Sequence, residues 1–265
     1  MTVGFIGAGN MAGSMIRGMV NGGFSGEDII IYDIDAAKTA ALAEKCGVRA
    51  AASPEALIDM SETVVLAVKP QYFPAVVPPL AAALTAARPL IISIAAGLTI
   101  ASVEGLLDGT PAIVRTMPNM NAQVGQAVSA FCGNARVTED DKQTVRTIFG
   151  SFGGVYELEE RLFSIFSVLA ACSPAYTHLY IDAMAQAGVR HGLPKELAAA
   201  VAAQSVLGSA KMLLASGEHP RILIDRICSP GGTTIEGIAA LQTNGFEAAV
   251  MKAVTASYKK DKGMS

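Results

Sequence analysis

The 265-residue chain has no tryptophan and few aromatic residues, and only 16% of its residues are charged. Its formal net charge at pH 7 is −3, with no basic block, which argues against nucleic acid or an anionic membrane as a partner. The four cysteines are scattered and include no C-x-x-C pair, so their spacing predicts no disulfide framework. Because the N-terminus lacks the pattern of a signal peptide, we expect a reduced, cytoplasmic protein.

Histidine is also scarce, and His178, His191 and His219 have no metal-type spacing to one another or to cysteines and acids. We therefore predict no metal site. One uncharged stretch, residues 162–181, is long enough to cross a membrane, but it contains serine, proline, threonine and histidine. Its polar content favours helices buried on several sides, and we expect no membrane partner.

The most informative segment is a glycine-containing turn near the N-terminus. It follows an apolar run at 2–6 and precedes a helical pattern at 15–20. Between them lie Gly7, Ala8, Gly9, Asn10, Met11 and Ala12, in the pattern G-x-G-x-x-A. The first glycine permits a tight turn, the second leaves room for a pyrophosphate, and the small Ala12 lets the helix pack on the strand. The helix start also offers free N–H groups to phosphates, so the segment predicts a dinucleotide site.

Strand-like and helical patterns alternate in the first half of the chain. Strands are predicted at 3–6, 29–33, 63–68, 90–94 and 112–116, with edge strands at 126–132 and 154–158. Helices are predicted at 36–46, at 54–59, and from a Thr138 cap to residue 149. This order predicts a mostly parallel sheet covered on both faces.

After residue 159 the strand patterns end, and helices are predicted at 161–171, 174–191, 195–216 and 234–260. The predicted fold class is therefore α/β. A Rossmann-type, mostly parallel, doubly wound sheet (residues 1–158) precedes an all-helical C-terminal dimerisation domain (residues 159–265). Because the helical half is apolar on more than one face, we predict that a homodimer buries it.

Asp33 ends the second predicted strand, where a carboxylate accepts hydrogen bonds from the adenosine ribose. Its charge would repel the extra phosphate of NADPH, so Asp33 favours NADH. The alternative is that Asp33 or Asp35 only caps the next helix. The ends of two later strands place small residues and a lysine at the same edge of the sheet: Ala67, Val68, Lys69, Pro70, Ala95, Ala96 and Gly97. Lys69 either reaches the cofactor or is a solvated lysine. Ala95–Gly97 either leave space for a flat ring or are small because a helix packs there.

A second candidate site is the segment before the last predicted helix, Ser229-Pro230-Gly231-Gly232-Thr233-Thr234. Two glycines before a helix start expose successive N–H groups, which form a nest for an anion. Ser229, Thr233 and Thr234 add hydroxyl donors without a basic residue, which predicts a small carboxylate ligand. The alternative is an ordinary helix start, in which Thr233 and Glu236 form a capping box.

Six segments together resemble the pyrroline-5-carboxylate reductases, in that family's order and over nearly the whole chain: Gly7–Ala12, Ala67–Pro70, Ser93–Gly97, Met117–Asn119, Ser173–Tyr176 and Ser229–Thr234. The resemblance implies NAD(P)H-dependent reduction of 1-pyrroline-5-carboxylate to proline, the last step of proline biosynthesis. It implies that the cofactor is held by three segments, Gly7–Ala12, Ala67–Pro70 and Ala95–Gly97. It also implies that NADPH, in addition to NADH, can be the cofactor. It also implies dimers that assemble further.

For the substrate, the resemblance implies that Gly231, Gly232 and Thr233 hold the carboxylate of the cyclic imine. Thr234 would lie beside the ring nitrogen as the catalytic hydrogen-bond donor.

Two departures from the family pattern bear on the substrate. Ala171-Cys172 stand where the family usually has Gly-Ser, and Met120-Asn121 where it has Thr-Pro. A reductase of another small cyclic imine is therefore one alternative. A second is a β-hydroxy acid dehydrogenase-like enzyme, and a third is a regulatory paralogue that binds the dinucleotide without catalysis.

Overall fold

The computed structural model describes residues 1–109 and 111–263. The chain forms two compact units, Met1–Ala171 and the residues from Cys172 onward. In the first unit, one eight-stranded sheet has the order β3-β2-β1-β4-β5-β6-β7-β8. All neighbouring strands run parallel except β6 and β7, which are antiparallel.

The strands are β1 (Val3–Ile6), β2 (Ile29–Tyr32), β3 (Arg49–Ala50), β4 (Thr63–Leu66), β5 (Leu90–Ser93), β6 (Ile113–Met117), β7 (Ala127–Gly133) and β8 (Gly153–Glu157). The helices of the first unit are α1 (Asn10–Asn21), α2 (Ala36–Cys46), α3 (Pro54–Asp59), α4 (Phe73–Val76), α5 (Ala81–Ala87), α6 (Ile100–Glu104), α7 (Glu139–Gly150) and α8 (Phe163–Ser167). Those of the second are α9 (Ser173–Arg190), α10 (Lys195–Ser216), α11 (Pro220–Ile227), α12 (Thr233–Thr243) and α13 (Phe246–Asp261).

Two apolar layers cover the sheet. On one face the buried side chains of α1 and α7, among them Met15 and Phe149, pack with alternate residues of the central strands. On the other face α3, α4 and α5 contribute Leu57, Phe73 and Leu84 to a second cluster. Strands buried on both faces read as continuous apolar runs, which is why their positions could be predicted. The predicted α/β class with a mostly parallel sheet is confirmed.

The helical unit differs from its prediction in two places. The predicted single helix at 234–260 is wrong, because Asn244 and Gly245 separate α12 from α13, and Gly245 has a φ of +73°. Glycine readily adopts this left-handed conformation, which ends one helix and begins the next. Helix α11 was not predicted; it begins after His219, whose Nδ1 accepts the N–H of Arg221.

The segment between the predicted domain boundary, after residue 158, and the second unit also differs from its prediction. The predicted helix at 161–171 consists of a 3₁₀ turn at Glu160–Leu162, α8, and a π-helical stretch at Val168–Cys172. Phe163, Val168 and Ala170 are buried. The compact units divide between Ala171 and Cys172, later than the predicted division after residue 158, which stays a prediction.

Candidate functional site

The glycine-containing turn lies at the carboxyl end of β1, between β1 and α1. Gly7 has a φ of +110°, and a Cβ added there would approach the carbonyl oxygen of Ala67 to 2.8 Å. Gly9, the N-cap of α1, is exposed, and a Cβ added to it would meet nothing within 4 Å. Ala12 is fully buried beneath the turn. The turn therefore has one glycine that the backbone requires and one that leaves open space in front of the helix.

The sheet topology places this turn where a ligand is expected. Strand β1 pairs with β2 on one side and with β4 on the other. The strand order therefore reverses at β1, since β2 and β3 extend the sheet to one side and β4 and β5 to the other. In open α/β sheets, ligands bind at such a switch point, beyond the carboxyl ends of the strands. Helix α1 has no side-chain cap among the described residues, so its first N–H groups and its positive dipole end face this crevice.

Asp33 follows β2 and contacts the turn directly. Its Oδ2 accepts the Ala8 N–H at 2.8 Å, and its Oδ1 accepts the Asp35 N–H at 2.9 Å. The Asp33 N–H donates in turn to Thr39 Oγ1 at 3.1 Å. Each carboxylate oxygen has two acceptor sites, so Asp33 retains capacity for a ribose hydroxyl while it fixes the turn.

Asp35 is the capping acid of α2. Its Oδ1 accepts the N–H groups of Ala37 and Lys38 at 3.1 and 3.3 Å, and Lys38 Nζ lies 3.2 Å from its Oδ2. These hydrogen bonds with Lys38 lower the pKa of Asp35 below its ordinary value. The two acids are thus divided: Asp35 caps the helix, and Asp33 is aimed at the turn.

The segments after β4 and β5 lie at the same edge of the sheet. The Ala67 N–H donates to Ile6 O at 2.8 Å, and the Ile94 N–H donates to Leu66 O at 3.3 Å, which joins the ends of β1, β4 and β5. Lys69 is exposed and precedes a 3₁₀ turn at Pro70–Tyr72. Ala95 is buried, whereas Ala96 and Gly97 are exposed, with Gly97 at a φ of +80°.

Asn119, at the end of the family segment Met117–Asn119, links two parts of the first unit. It is buried, its Nδ2 donates to Ala170 O at 2.8 Å, and its Oδ1 accepts the Val128 N–H at 3.3 Å. Four residues after Ala170 stands Pro174, which has no N–H to bond that carbonyl in a helix. Asn119 therefore supplies the donor that Pro174 lacks.

The second candidate site lies in the helical unit, between α11 and α12. Gly232 N–H donates to Ser229 O at 3.0 Å, and Gly231 has a φ of +67°. A Cβ added at Gly232 would collide with Ser229 Oγ. The hydroxyls of Ser229, Thr233 and Thr234 have no hydrogen-bond partner among the described residues, and all three residues are exposed.

The predicted capping box at Thr233 and Glu236 is wrong. Gly232 is the N-cap of α12, and no side chain caps that end within the described part of the chain. Because Thr233 is the first helical residue, its hydroxyl is not placed to accept from the third helical N–H. The helix start therefore keeps unsatisfied N–H groups beside three free hydroxyls, which is the donor set that a carboxylate requires.

Ile34 and Glu160 do not stand out in the sequence as site residues. Ile34 is 94% exposed next to Asp33, and no periodic pattern marks a single apolar residue in a loop. Glu160 accepts from Arg115 Nη1 at 3.0 Å and from the Ile100 N–H at 2.8 Å, sixty residues away. Such a contact leaves no local signal in the sequence.

Among the described residues, no group of three or more His, Cys, Asp and Glu side chains is arranged to hold a metal. Within the described residues, two helical stretches are long and apolar enough to cross a membrane: Glu160–Arg190 and Lys195–Ser216. That is weak evidence for a span, because length and composition do not distinguish a span from a helix covered by protein.

Comparison with known proteins identifies the family. Residues 160–264 match the model for pyrroline-5-carboxylate reductase dimerisation, and residues 2–97 match the model for NADP oxidoreductase, coenzyme F420-dependent. The pyrroline-5-carboxylate reductase of Glycine max is 39% identical over 266 residues, covering 100% of this chain and 96% of that protein. The Escherichia coli enzyme is 38% identical and covers 99% and 98% of the two chains. The chain belongs to the pyrroline-5-carboxylate reductase family.

Solved structures of reductases in this family have the same fold over the full length. The Coxiella burnetii protein has a TM-score of 0.93 at 31% identity, covering 100% of this chain and 98% of that one. The Plasmodium falciparum protein, solved with NADP bound, has a TM-score of 0.85 at 32% identity, with the same coverage. The predicted family and the predicted NAD(P)-dependent class are confirmed, and the dimerisation match supports a homodimer.

Proposed function

We propose that this protein reduces 1-pyrroline-5-carboxylate to proline with a reduced nicotinamide dinucleotide. Full-length similarity to reductases of that name carries the proposal. The helix starts without side-chain caps include the two that follow the candidate glycine-containing segments, at Gly9 and at Gly232. Each offers N–H groups to an anion, as the phosphates of a dinucleotide and the carboxylate of the imine require.

In this proposal the first unit holds the dinucleotide. Gly7–Ala12 cradle the pyrophosphate, because Gly9 leaves open space at the start of α1. Ala67–Pro70 and Ala95–Gly97 border the crevice at the ends of β4 and β5. Asp33 binds the ribose hydroxyls and disfavours a 2′-phosphate, and the exposed Ile34 offers an apolar surface to the adenine. The residues therefore fit a dinucleotide and favour NADH over NADPH.

The second unit holds the substrate. Gly231, Gly232 and Thr233 bind the carboxylate through neutral donors, and Ser229 adds a hydroxyl. A bound reduced nicotinamide supplies the hydride for the imine carbon. Thr234 donates a hydrogen bond to the ring nitrogen of the neutral imine, and it relays a proton from water to that nitrogen as the hydride adds to the carbon. Catalysis then depends mainly on positioning.

Spectrophotometric oxidation of NADH and of NADPH tests the proposal, with 1-pyrroline-5-carboxylate beside other cyclic imines and β-hydroxy or keto acids. We expect the pyrroline carboxylate to give the highest kcat/KM. A preference for another imine or for a hydroxy acid would select one of the alternative enzymes, and cofactor binding without turnover of any substrate would indicate a regulatory paralogue.

Thr234→Ala tests the assignment within the loop. Removing a hydrogen bond that strengthens in the transition state should lower kcat about tenfold to a hundredfold, while the Kd for NADH stays unchanged. Thr243→Ala, at the far end of α12, is the matched control. An unchanged kcat in Thr234→Ala would remove this residue from the mechanism.

Assembly and location complete the proposal. The exposed apolar side chains of α9 and α10 support burial against a second copy, and the dimers would assemble further as the family resemblance implies. Light scattering at several protein concentrations measures the size. The four cysteines are free, which supports a cytoplasmic location.

A further inference from the structure

Glu160 makes a partly buried contact that the proposed reaction does not use directly. Its Oε1 accepts from Arg115 Nη1 at 3.0 Å and from the Ile100 N–H at 2.8 Å. Arg115 is only 13% exposed at its side chain, and its guanidinium lies 4.6 Å from the ring centre of the buried Phe163. Packing on Phe163 restrains the Arg115 guanidinium, and its ion pair in turn restrains the Glu160 carboxylate.

The Ile100 N–H begins α6, three residues after Gly97. Thr99 caps the same helix by accepting the Ser102 N–H at 3.1 Å. The loop from β5 to α6 is therefore tied at its start by the Ile94 N–H bond to Leu66 O and at its end by Glu160. Between these points Ala96 and Gly97 are exposed, and a Cβ on Gly97 would meet nothing within 4 Å.

We propose that Glu160 is a positioning residue for cofactor binding, which holds the Ala95–Gly97 loop in the conformation that receives the nicotinamide ring. The inference rests on the proposed function for the assignment of that loop to the nicotinamide. Loss of the Ile100 contact would free the end of the loop, and binding would then have to order it again. This loss of binding free energy affects the contacts of the nicotinamide end of the dinucleotide and not those of the adenosine end.

Binding of NADH and of ADP-ribose, which lacks the nicotinamide, separates this role from a merely structural one. For Glu160→Ala we expect the Kd for NADH to rise about tenfold, while the Kd for ADP-ribose stays within twofold of wild type. Glu160→Gln retains a carbonyl acceptor for the Ile100 N–H and should restore most of the NADH affinity.

A second variant leaves the ion pair intact. Ile100→Pro removes the donor N–H at the first helical position, where proline fits the helix and where the extended Thr99 before it is compatible. It should reproduce the selective loss of NADH affinity. Glu159→Ala is the matched control. Among the described residues the Glu159 side chain pairs with the exposed Arg161 alone, at 2.6 Å, so this variant should change neither Kd.

An equal weakening of NADH and ADP-ribose in both variants, or no change in either, would overturn the inference. Turnover by the wild-type chain is measured alongside. If the wild type binds NADH but does not reduce the imine, the proposed function fails while the NADH to ADP-ribose comparison still decides the role of Glu160.

Discussion

Replacing Asp33 by serine should change the choice of cofactor. A ribose hydroxyl bonded to the carboxylate contributes about 1.5–3 kcal/mol to NADH binding, because the acceptor is charged. Repulsion between the carboxylate and a 2′-phosphate costs NADPH about 1–4 kcal/mol at contact distance, and the lower part of that range applies because this partly buried site still meets water. Together these terms predict that the NADPH to NADH ratio of kcat/KM rises on the order of a hundredfold.

The structure adds a second effect of the same change. Asp33 Oδ2 also accepts the Ala8 N–H of the glycine-containing turn, so Asp33→Ser should weaken both cofactors by about 1 kcal/mol. Initial rates at several concentrations of each cofactor separate the shared loss from the change in ratio. Asp33→Asn is the control, since it removes the charge and keeps one carbonyl acceptor for the backbone. If both variants leave the ratio unchanged, Asp33 only supports the turn, and the electrostatic argument is refuted.

Three further outcomes are expected. Gly7→Ala should lower the free energy of unfolding by about 2 kcal/mol or more in a denaturant titration, since its φ is +110° and the new Cβ lies 2.8 Å from Ala67 O; an unchanged midpoint would contradict this. Ser129→Ala should raise it by about 1 kcal/mol, because the buried Ser129 hydroxyl has no hydrogen-bond partner in the described part of the chain; a lower stability would reveal a partner such as a bound water. Burial, and then the Glu160 carboxylate, raise the pKa of Cys132 to about 12, so iodoacetamide at pH 8 should label this thiol only after unfolding, as mass spectrometry can detect.

The sheet could be predicted from the sequence because its strands are apolar on both faces. The core strands β1, β2, β4, β5 and β6 lie within a few residues of their predicted bounds. Strand β3 was not predicted, since two exposed residues, Arg49 and Ala50, carry no period. Helix α11 has an amphipathic pattern over only eight residues, which is too short to stand out.

The candidate site, too, could be predicted from the sequence only in part. Gly7–Ala12 and Ser229–Thr234 are contiguous motifs whose geometry follows from glycine, proline and hydroxyl residues in a row. Glu160 and Asn119 act through long-range contacts, which reach Ile100 across sixty residues and Ala170 across fifty-one. Local propensity holds no information on such pairs, because they depend on which strand ends meet in the folded sheet.

The scarcity of buried side chains in the helical unit has a consequence for folding. Only Ala185, Ala198 and Ala202 are buried within this part of the described chain, whereas Leu179, Leu214 and Met251 are at least 70% exposed. Three alanines supply little apolar area for five helices, so most of the stabilising burial has to come from a second chain. Folding of these helices then requires two chains to associate. The midpoint of thermal unfolding should therefore rise with protein concentration. Newly made protein would order its Ser229–Thr234 loop only once enough copies are present to pair.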